Sequence, residues 1–248
     1  IQYSLSDDNI VFANYSRGFR TGGLTQLSSD PSQPPLYPYK PEYSNSFELG
    51  TKNMFFNDRL RLNLTAFYAK ITDAQVPTLV LPDAITITRN TGELVSKGFE
   101  LEMNARPTRG FEIDYSFGYT HARYESLKLS QYGNETDLEG KRQVFTPDIT
   151  SMLALQYGIP LTANKEWQLT LRGEWIYLGQ QYFDLANQIR QSPYQKLNAR
   201  VGVSGKHLGL FLWARNLTDR KFIAYAYDFG AIHLGEPEMY GVTVSAKF

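Results

Sequence analysis

Side chains able to carry chemistry are present in this 248-residue chain, but none falls into a catalytic or metal-binding pattern. The histidines His121, His207 and His233 lie far apart in sequence, and none stands at ligand spacing from another. There is no cysteine, which removes disulfides, thiolate chemistry and cysteine-based zinc sites together. No metal and no cofactor are therefore expected. The chain has no G-x-S-x-G, P-loop or H-E-x-x-H segment, so nucleophilic, phosphoryl-transfer and zinc-hydrolase chemistries have no starting point. The nearest approach to a catalytic set is a serine with His121 and an acid, a trio that any β-rich chain can supply. Lys plus Arg equals Asp plus Glu at 25 each, so no net field draws nucleic acid to the chain.

Two groups remain. The first holds the carboxylates Glu48, Glu100, Glu102, Glu112, Asp114 and Glu174 with the cations Lys52, Arg61, Arg172 and Arg200. Such a set makes either a solvated wall of cross-strand ion pairs or a surface that holds another polar body or guides a solute. The second holds Phe19, Arg20, Tyr37, Tyr39, Arg89, Tyr182, Phe183, Tyr227 and His233. Aromatics and arginines supply rigid contact area and charge for an anionic ligand, and they serve equally to pack loops.

Strands must position both groups. Apolar and polar residues alternate with period 2 in segment after segment. From Trp167 to Tyr177 the odd positions are Trp, Leu, Leu, Gly, Trp and Tyr, and the even ones are Gln168, Thr170, Arg172, Glu174 and Ile176. Leu60, Leu62, Leu64, Ala66 and Tyr68 stand against Arg61, Asn63, Thr65 and Phe67, and 111–119 repeats the pattern. About eleven such strands follow one another. Short connections, near 6–8, 56–58, 107–110, 160–165 and 205–208, alternate with long ones at about 18–41, 74–92, 125–146, 181–193 and 218–236. The prolines of 31–41 bar that stretch from a central strand.

A β-sandwich also alternates, but one trimmed end and one elaborated end is the habit of outer-membrane barrels. Aromatics make up 14 % of residues while the mean hydropathy is negative, as a lipid face, a wet lumen and interfacial girdles require together. Ten residues separate Trp167 from Tyr177, about 25 Å at ~3.3 Å per residue and a tilt near 40°, the height of an apolar band. No apolar run is long enough for a helical span. The expected fold is thus an all-β, antiparallel up-and-down transmembrane barrel segment. Leu62, Leu64, Leu169, Leu171, Val242 and Val244 should face lipid, and Arg61, Asn63, Thr170, Arg172 and Thr243 the lumen.

The chain stops on Tyr240, Val242, Val244, Ala246 and Phe248, alternating with Gly241, Thr243, Ser245 and Lys247. This resembles the C-terminal assembly signal that the barrel-assembly machinery reads. Further segments resemble the TonB-dependent outer-membrane receptor family in the order that family shows them: NIVFANYSRGFRTGG (9–23), PEYSNSFELGTKNMFFNDRLRLNLTAFYAKITDAQ (41–75), SKGFELEMNARPTRGFEIDYSFGYTHARY (96–124), ARNLTDRKF (214–222) and GEPEMYGVTVSAKF (235–248).

The resemblance implies about 11 strands of a 22-stranded barrel with a plugged lumen, 1–248 being its C-terminal part, with the plug domain and N-terminal strands absent from this sequence. Implied partners are outer-membrane lipid, the assembly machinery, the receptor's own plug, TonB, and a scarce nutrient, with a ferric siderophore foremost. The paired motifs of haem receptors are missing, and Glu238 stands where the family commonly has Arg. Two other readings are a complete small passive pore and an outer-membrane hydrolase. The first fits poorly with an odd strand count, and the second lacks a nucleophile–base pair.

Overall fold

In a computed structural model, residues 1–26, 36–80, 85–90, 92–131, 134–164, 166–227 and 230–247 are described. Eleven strands form one antiparallel sheet in chain order. They are β1 (Gln2–Ser6), β2 (Asn9–Arg20), β3 (Glu42–Phe55), β4 (Leu60–Thr72), β5 (Gly92–Ala105) and β6 (Phe111–Gln131), then β7 (Ile149–Pro160), β8 (Gln168–Leu178), β9 (Tyr194–Ser204), β10 (Leu208–Arg215) and β11 (Met239–Ala246). Every strand pairs with the next, and no helix interrupts the meander among the described residues.

The short turns use residues that tolerate left-handed backbone. Between β3 and β4, Phe56 (φ 57°), Asn57 (φ 54°) and Asp58 (φ 63°) carry the reversal, and the amide and carboxylate side chains of the last two support left-handed backbone better than the ring of the first. Before β6, Gly110 (φ 81°) accepts a hydrogen bond from Gly158 N at 2.8 Å, and a Cβ would strike that strand.

The register carries the tilt of a barrel. Asn9, the first residue of β2 beyond its turn, connects laterally through Asn53, Leu62, Met103, Tyr115, Leu153 and Trp175 to Leu197 of β9. The residue of β9 beside its own turn is Ser204, seven residues further on, after seven strand-to-strand steps. One residue of stagger per strand, ~3.3 Å along against ~4.8 Å across, corresponds to a tilt of about 35°.

The two faces are inverted relative to a soluble protein. Leu64 is 47 % exposed, Leu212 53 % and Val244 72 %, whereas the side chains of Arg172 and Glu174 on the opposite face are 24 % and 27 % exposed. Water would penalise so large an open apolar face, and hydrocarbon does not. Cross-strand pairing puts Leu62, Leu64, Leu169, Leu171, Val242 and Val244 on the apolar face, and Arg61, Asn63, Thr170, Arg172 and Thr243 on the other. On the polar face the rings of Phe12, Phe67, Phe211 and Trp213 lie over Gly50, Gly98, Gly202 and Gly241 of neighbouring strands, where a Cβ would collide with them.

The long connections expected from the sequence are not bare loops. They carry two-stranded ladders of their own: Gly23–Gln26 with Leu36–Tyr39, Gln75–Val80 with Ile85–Asn90, Gln181–Tyr182 with Arg190–Gln191, and Ile223–Ala226 with Ile232–Leu234. Strand β6 runs on to Gln131 and pairs with Asn134–Asp137, past Glu125 where a loop was expected. The reason is burial. Leu127, with no exposed surface, joins Val76, Leu94, Tyr124 and Leu138, packed by Ile71, Leu185 and Ala186. Among the described residues this is the buried apolar cluster, and it sits at the elaborated end.

Candidate functional site

All ten residues of the expected polar wall lie on one face, because each is linked to the next by direct cross-strand pairing or by two-residue steps along a strand. Arg172 is the centre of their network. Its Nε donates to Glu174 at 2.8 Å and its Nη1 reaches Asp114 at 3.5 Å, while Asn198 donates to Glu174 at 3.3 Å and Asn104 donates to Asp114. Glu112 takes Arg106 at 3.2 Å and Gln156 at 3.0 Å. Arg200 stands 3.9 Å from the centroid of Phe211, and Lys52 5.5 Å from that of Phe12. Asn63 donates to Glu102 at 3.3 Å. Glu48, Glu100 and Arg61 make no ion pair among the described residues.

At the elaborated end, side-chain amides tie the connections together. Gln75, 8 % exposed, donates through Nε2 to the carbonyls of Thr21 (2.9 Å) and Lys40 (3.0 Å), and its main-chain N–H donates to Glu42 at 2.7 Å. Asn90 donates to the carbonyls of Lys40 and Asp73, and accepts from Lys40 N at 2.6 Å. The first two long connections are thereby stitched to each other. Asn187 does the same for the third and fourth, exchanging hydrogen bonds with the main chain of Arg142 at 2.6 and 3.0 Å. Gln191 accepts from Ile223 N at 2.7 Å, binding the fourth to the fifth. Lys196 of β9 donates to Glu236 at 2.7 Å, and that bond holds the Glu236 carboxyl below the ordinary glutamate range. Carbonyls left open by irregular backbone need such partners when buried.

An aromatic cluster collects where the last three connections meet. Phe145 stacks on Tyr225 at 5.0 Å and touches Phe183 at 5.6 Å, and Tyr225 meets Tyr227 edge-on at 4.6 Å. Phe145 N donates to Tyr182 O at 2.8 Å, and the Arg142 guanidinium stands 5.9 Å from the Tyr182 ring centroid. Phe145, Tyr225 and Tyr227 keep 38–45 % of their surface exposed, and the neighbouring Ile232 and Leu234 are more open still. Open rings from separate connections, with a cation alongside, form a surface suited to a planar or anionic ligand.

Of the expected ligand residues, Tyr182, Phe183, Tyr227 and His233 are drawn to this cluster, His233 through its pairing with Tyr225. Phe183 is buried, so it supports the cluster from beneath. Phe19 and Arg20 belong to β2 rather than to a loop. Phe19 pairs with Tyr43 on the apolar face, so it is an outer-surface residue. Tyr39 packs its ring against Gly23, and Arg89 is half-buried in the ladder with Val76. The side chain of Tyr37, residues 31–35 of the proline-rich stretch and Phe248 lie outside the described residues. Tyr240, Val242, Val244 and Ala246 share the apolar face and pair with Ala214, Leu212, Leu210 and Leu208. Phe145, Tyr225 and Arg142 were not anticipated; an aromatic density counted over the connections would have found the first two. Among the described residues no group of three His, Asp or Glu side chains gathers as a metal site.

Comparison with known proteins agrees with this architecture. The family described as "TonB dependent receptor-like, beta-barrel" matches residues 1–217. The pesticin receptor of Yersinia pestis is 24 % identical over 245 residues, covering 96 % of this chain and 33 % of that protein. The ferric-pyoverdine 358 receptor of Pseudomonas putida is 26 % identical, covering 100 % and 28 %. The structure of the ferric yersiniabactin uptake receptor FyuA from Yersinia pestis superposes with a TM-score of 0.81 at 23 % identity, covering all of this chain and 36 % of the other. The siderophore receptor PiuA of Acinetobacter baumannii gives 0.77 at 21 %, covering 98 % and 34 %. The chain spans about a third of the length of the relatives it matches. It belongs to the TonB-dependent receptor β-barrel family, a family of non-enzymatic transporters in the bacterial outer membrane, and forms an eleven-strand portion of such a barrel.

Proposed function

We propose that this chain is the C-terminal part of the barrel of an active uptake receptor, that its long connections face the cell exterior, and that the cargo is a ferric siderophore. A plug domain, further strands and the TonB contact belong to the rest of the protein. The observation that carries the reading is the open cluster of Phe145, Tyr225 and Tyr227 beside Tyr182 and Arg142, held by three stitched connections. A ferric chelate is bulky, partly aromatic or amide-rich and commonly anionic, and such a surface offers it stacking and charge. The polar wall headed by Arg172, Asp114 and Glu174 would then meet the plug.

Equilibrium binding to the full-length receptor tests this, with catecholate, hydroxamate and mixed ferric siderophores, cobalamin and a maltodextrin as probes. One ferric siderophore should bind, and Tyr225→Ala with Tyr227→Ala should weaken it by about tenfold or more. Binding of cobalamin or the oligosaccharide, with every ferric chelate inert, would overturn the cargo.

A further inference from the structure

The fifth long connection leaves a strand edge open. Ile223–Ala226 and Ile232–Leu234 form a two-stranded ladder in which Ile223 pairs with Leu234, Tyr225 with His233 and Ala226 with Ile232. Two bonds that bracket the ladder show which way the main chain of its second strand points. Tyr227 N donates to Ala231 O at 2.8 Å and Gly235 N donates to Phe222 O at 2.9 Å, so Ala231 and Gly235 turn inward to the first strand. Along an antiparallel strand the main-chain groups of successive residues alternate in direction. His233 therefore also turns inward, while Ile232 and Leu234 direct both N–H and C=O away from the ladder. On the first strand Ile223, the partner of Leu234, likewise sends its N–H outward, where Gln191 Oε1 accepts it at 2.7 Å. Among the described residues no strand or side chain meets the outward groups of Ile232 and Leu234.

The two faces of the ladder differ. Tyr225 and Tyr227 share a face with His233, and Tyr225 carries the stack on Phe145. Ile232 and Leu234 occupy the other face and are 59 % and 55 % exposed. An open edge beside exposed aliphatic side chains is a liability unless something covers it. The chemistry of the edge says what can. Donors and acceptors at strand spacing are met by the main chain of an extended peptide. Three residues at ~3.3 Å each make an edge about 10 Å long, which suits a short arm of three or four residues rather than a folded sheet.

We propose that the cargo carries a peptide arm, and that this arm adds as a third strand along Ile232–Leu234 while the iron chelate rests on Phe145, Tyr225 and Tyr227. The inference rests on the siderophore reading and narrows it to ferric chelates built on an amino-acid chain. Successive side chains of an added strand fall on alternate faces. Every second residue of the arm therefore lies on the ring face beside His233, where chelating groups reach the aromatic cluster, and the residues between them lie beside Ile232 and Leu234.

Three ferric probes test this on the full-length receptor: a tris-catecholate, the same chelate with a tetrapeptide arm, and that conjugate with the amide nitrogens of the arm methylated. The arm should tighten binding about tenfold over the bare chelate, and methylation, which removes its donors, should cancel the gain. Leu234→Pro deletes an outward N–H and sets a ring on the edge without removing a ladder bond, so in this variant the ratio of the two affinities should fall to about one. Heat-modifiable migration on gels checks that the variant is folded. Amide exchange should show Ile232 and Leu234 protected only when the arm-bearing chelate is bound. An equal gain from the methylated arm, or a gain that survives Leu234→Pro, would overturn the proposal. So would protection of both amides in the ligand-free receptor, since the edge would then be covered by the receptor's own chain or by a second copy. Binding of the bare chelate with no gain from the arm defeats this inference alone, whereas inertness of every ferric chelate defeats the siderophore reading and this inference with it.

Discussion

Leu171 and Thr170 adjoin in sequence and face opposite media, so the same substitution should have different costs at the two positions. Leu171→Arg places a charge in the apolar band and is expected to destabilise the barrel by about 2–4 kcal/mol, against much less for Thr170→Arg. Unfolding in denaturant from a bilayer measures both, and equal costs would contradict the face assignment. Asn216 is a second residue with outsized consequence. It has no exposed surface and a positive φ of 48°; it bonds the carbonyls of Arg220 and Glu236 and accepts from Arg220 N. Asn216→Ala removes the partner of those half-buried groups and should cost about 1–2 kcal/mol, read as faster proteolysis of 216–238. The segment ARNLTDRKF marked the position in the sequence. The hub did not show, since one of its partners lies twenty residues downstream.

At the level of elements, the fifth long connection is held to β9 by Lys196 and Glu236, and the bond responds to pH. The Glu236 pKa is lowered from 4.5 by the Lys196 hydrogen bond, so its stabilising contribution is fully present above 4.5 and is lost as pH falls through the lower folded value. Protection of the amides in 216–238, taken relative to their intrinsic exchange rates, should therefore fall as pH drops below 4.5, and Lys196→Met should abolish that dependence. An acid-insensitive connection in the parent protein would count against the latch. Asn187→Ala should in turn loosen 132–148 and 179–193 together, since both ends of its bridge are lost; loosening of one alone would show them to be independent. Strand existence and face were legible because alternation is local. The extension of β6 to Gln131 was not, because Leu127 is buried by residues from two other long connections and from β4 and β5, and that contact overrides the loop-like composition of 125–131.

For the whole molecule, five short turns at one end and five long connections at the other impose a topology. If the long connections face outward, protease added to intact cells should cut within 132–148 or 216–238 and spare 56–59 and 205–207; the reverse pattern would invert the barrel. The sequence by itself determined the all-β class, the eleven strands, the lipid and polar faces and the family, because each follows from period-2 alternation, turn residues and short ordered motifs. Only the tertiary structure decided which ring meets which. Phe145, Phe183 and Tyr225 lie up to eighty residues apart, and Gln75, Asn187 and Asn216 are ordinary amides until folding brings main-chain carbonyls to them. Alternation is set by the backbone of a single strand, whereas these contacts depend on how long connections close over one another. That closure is governed by burial and by unsatisfied peptide groups, neither of which a local pattern records.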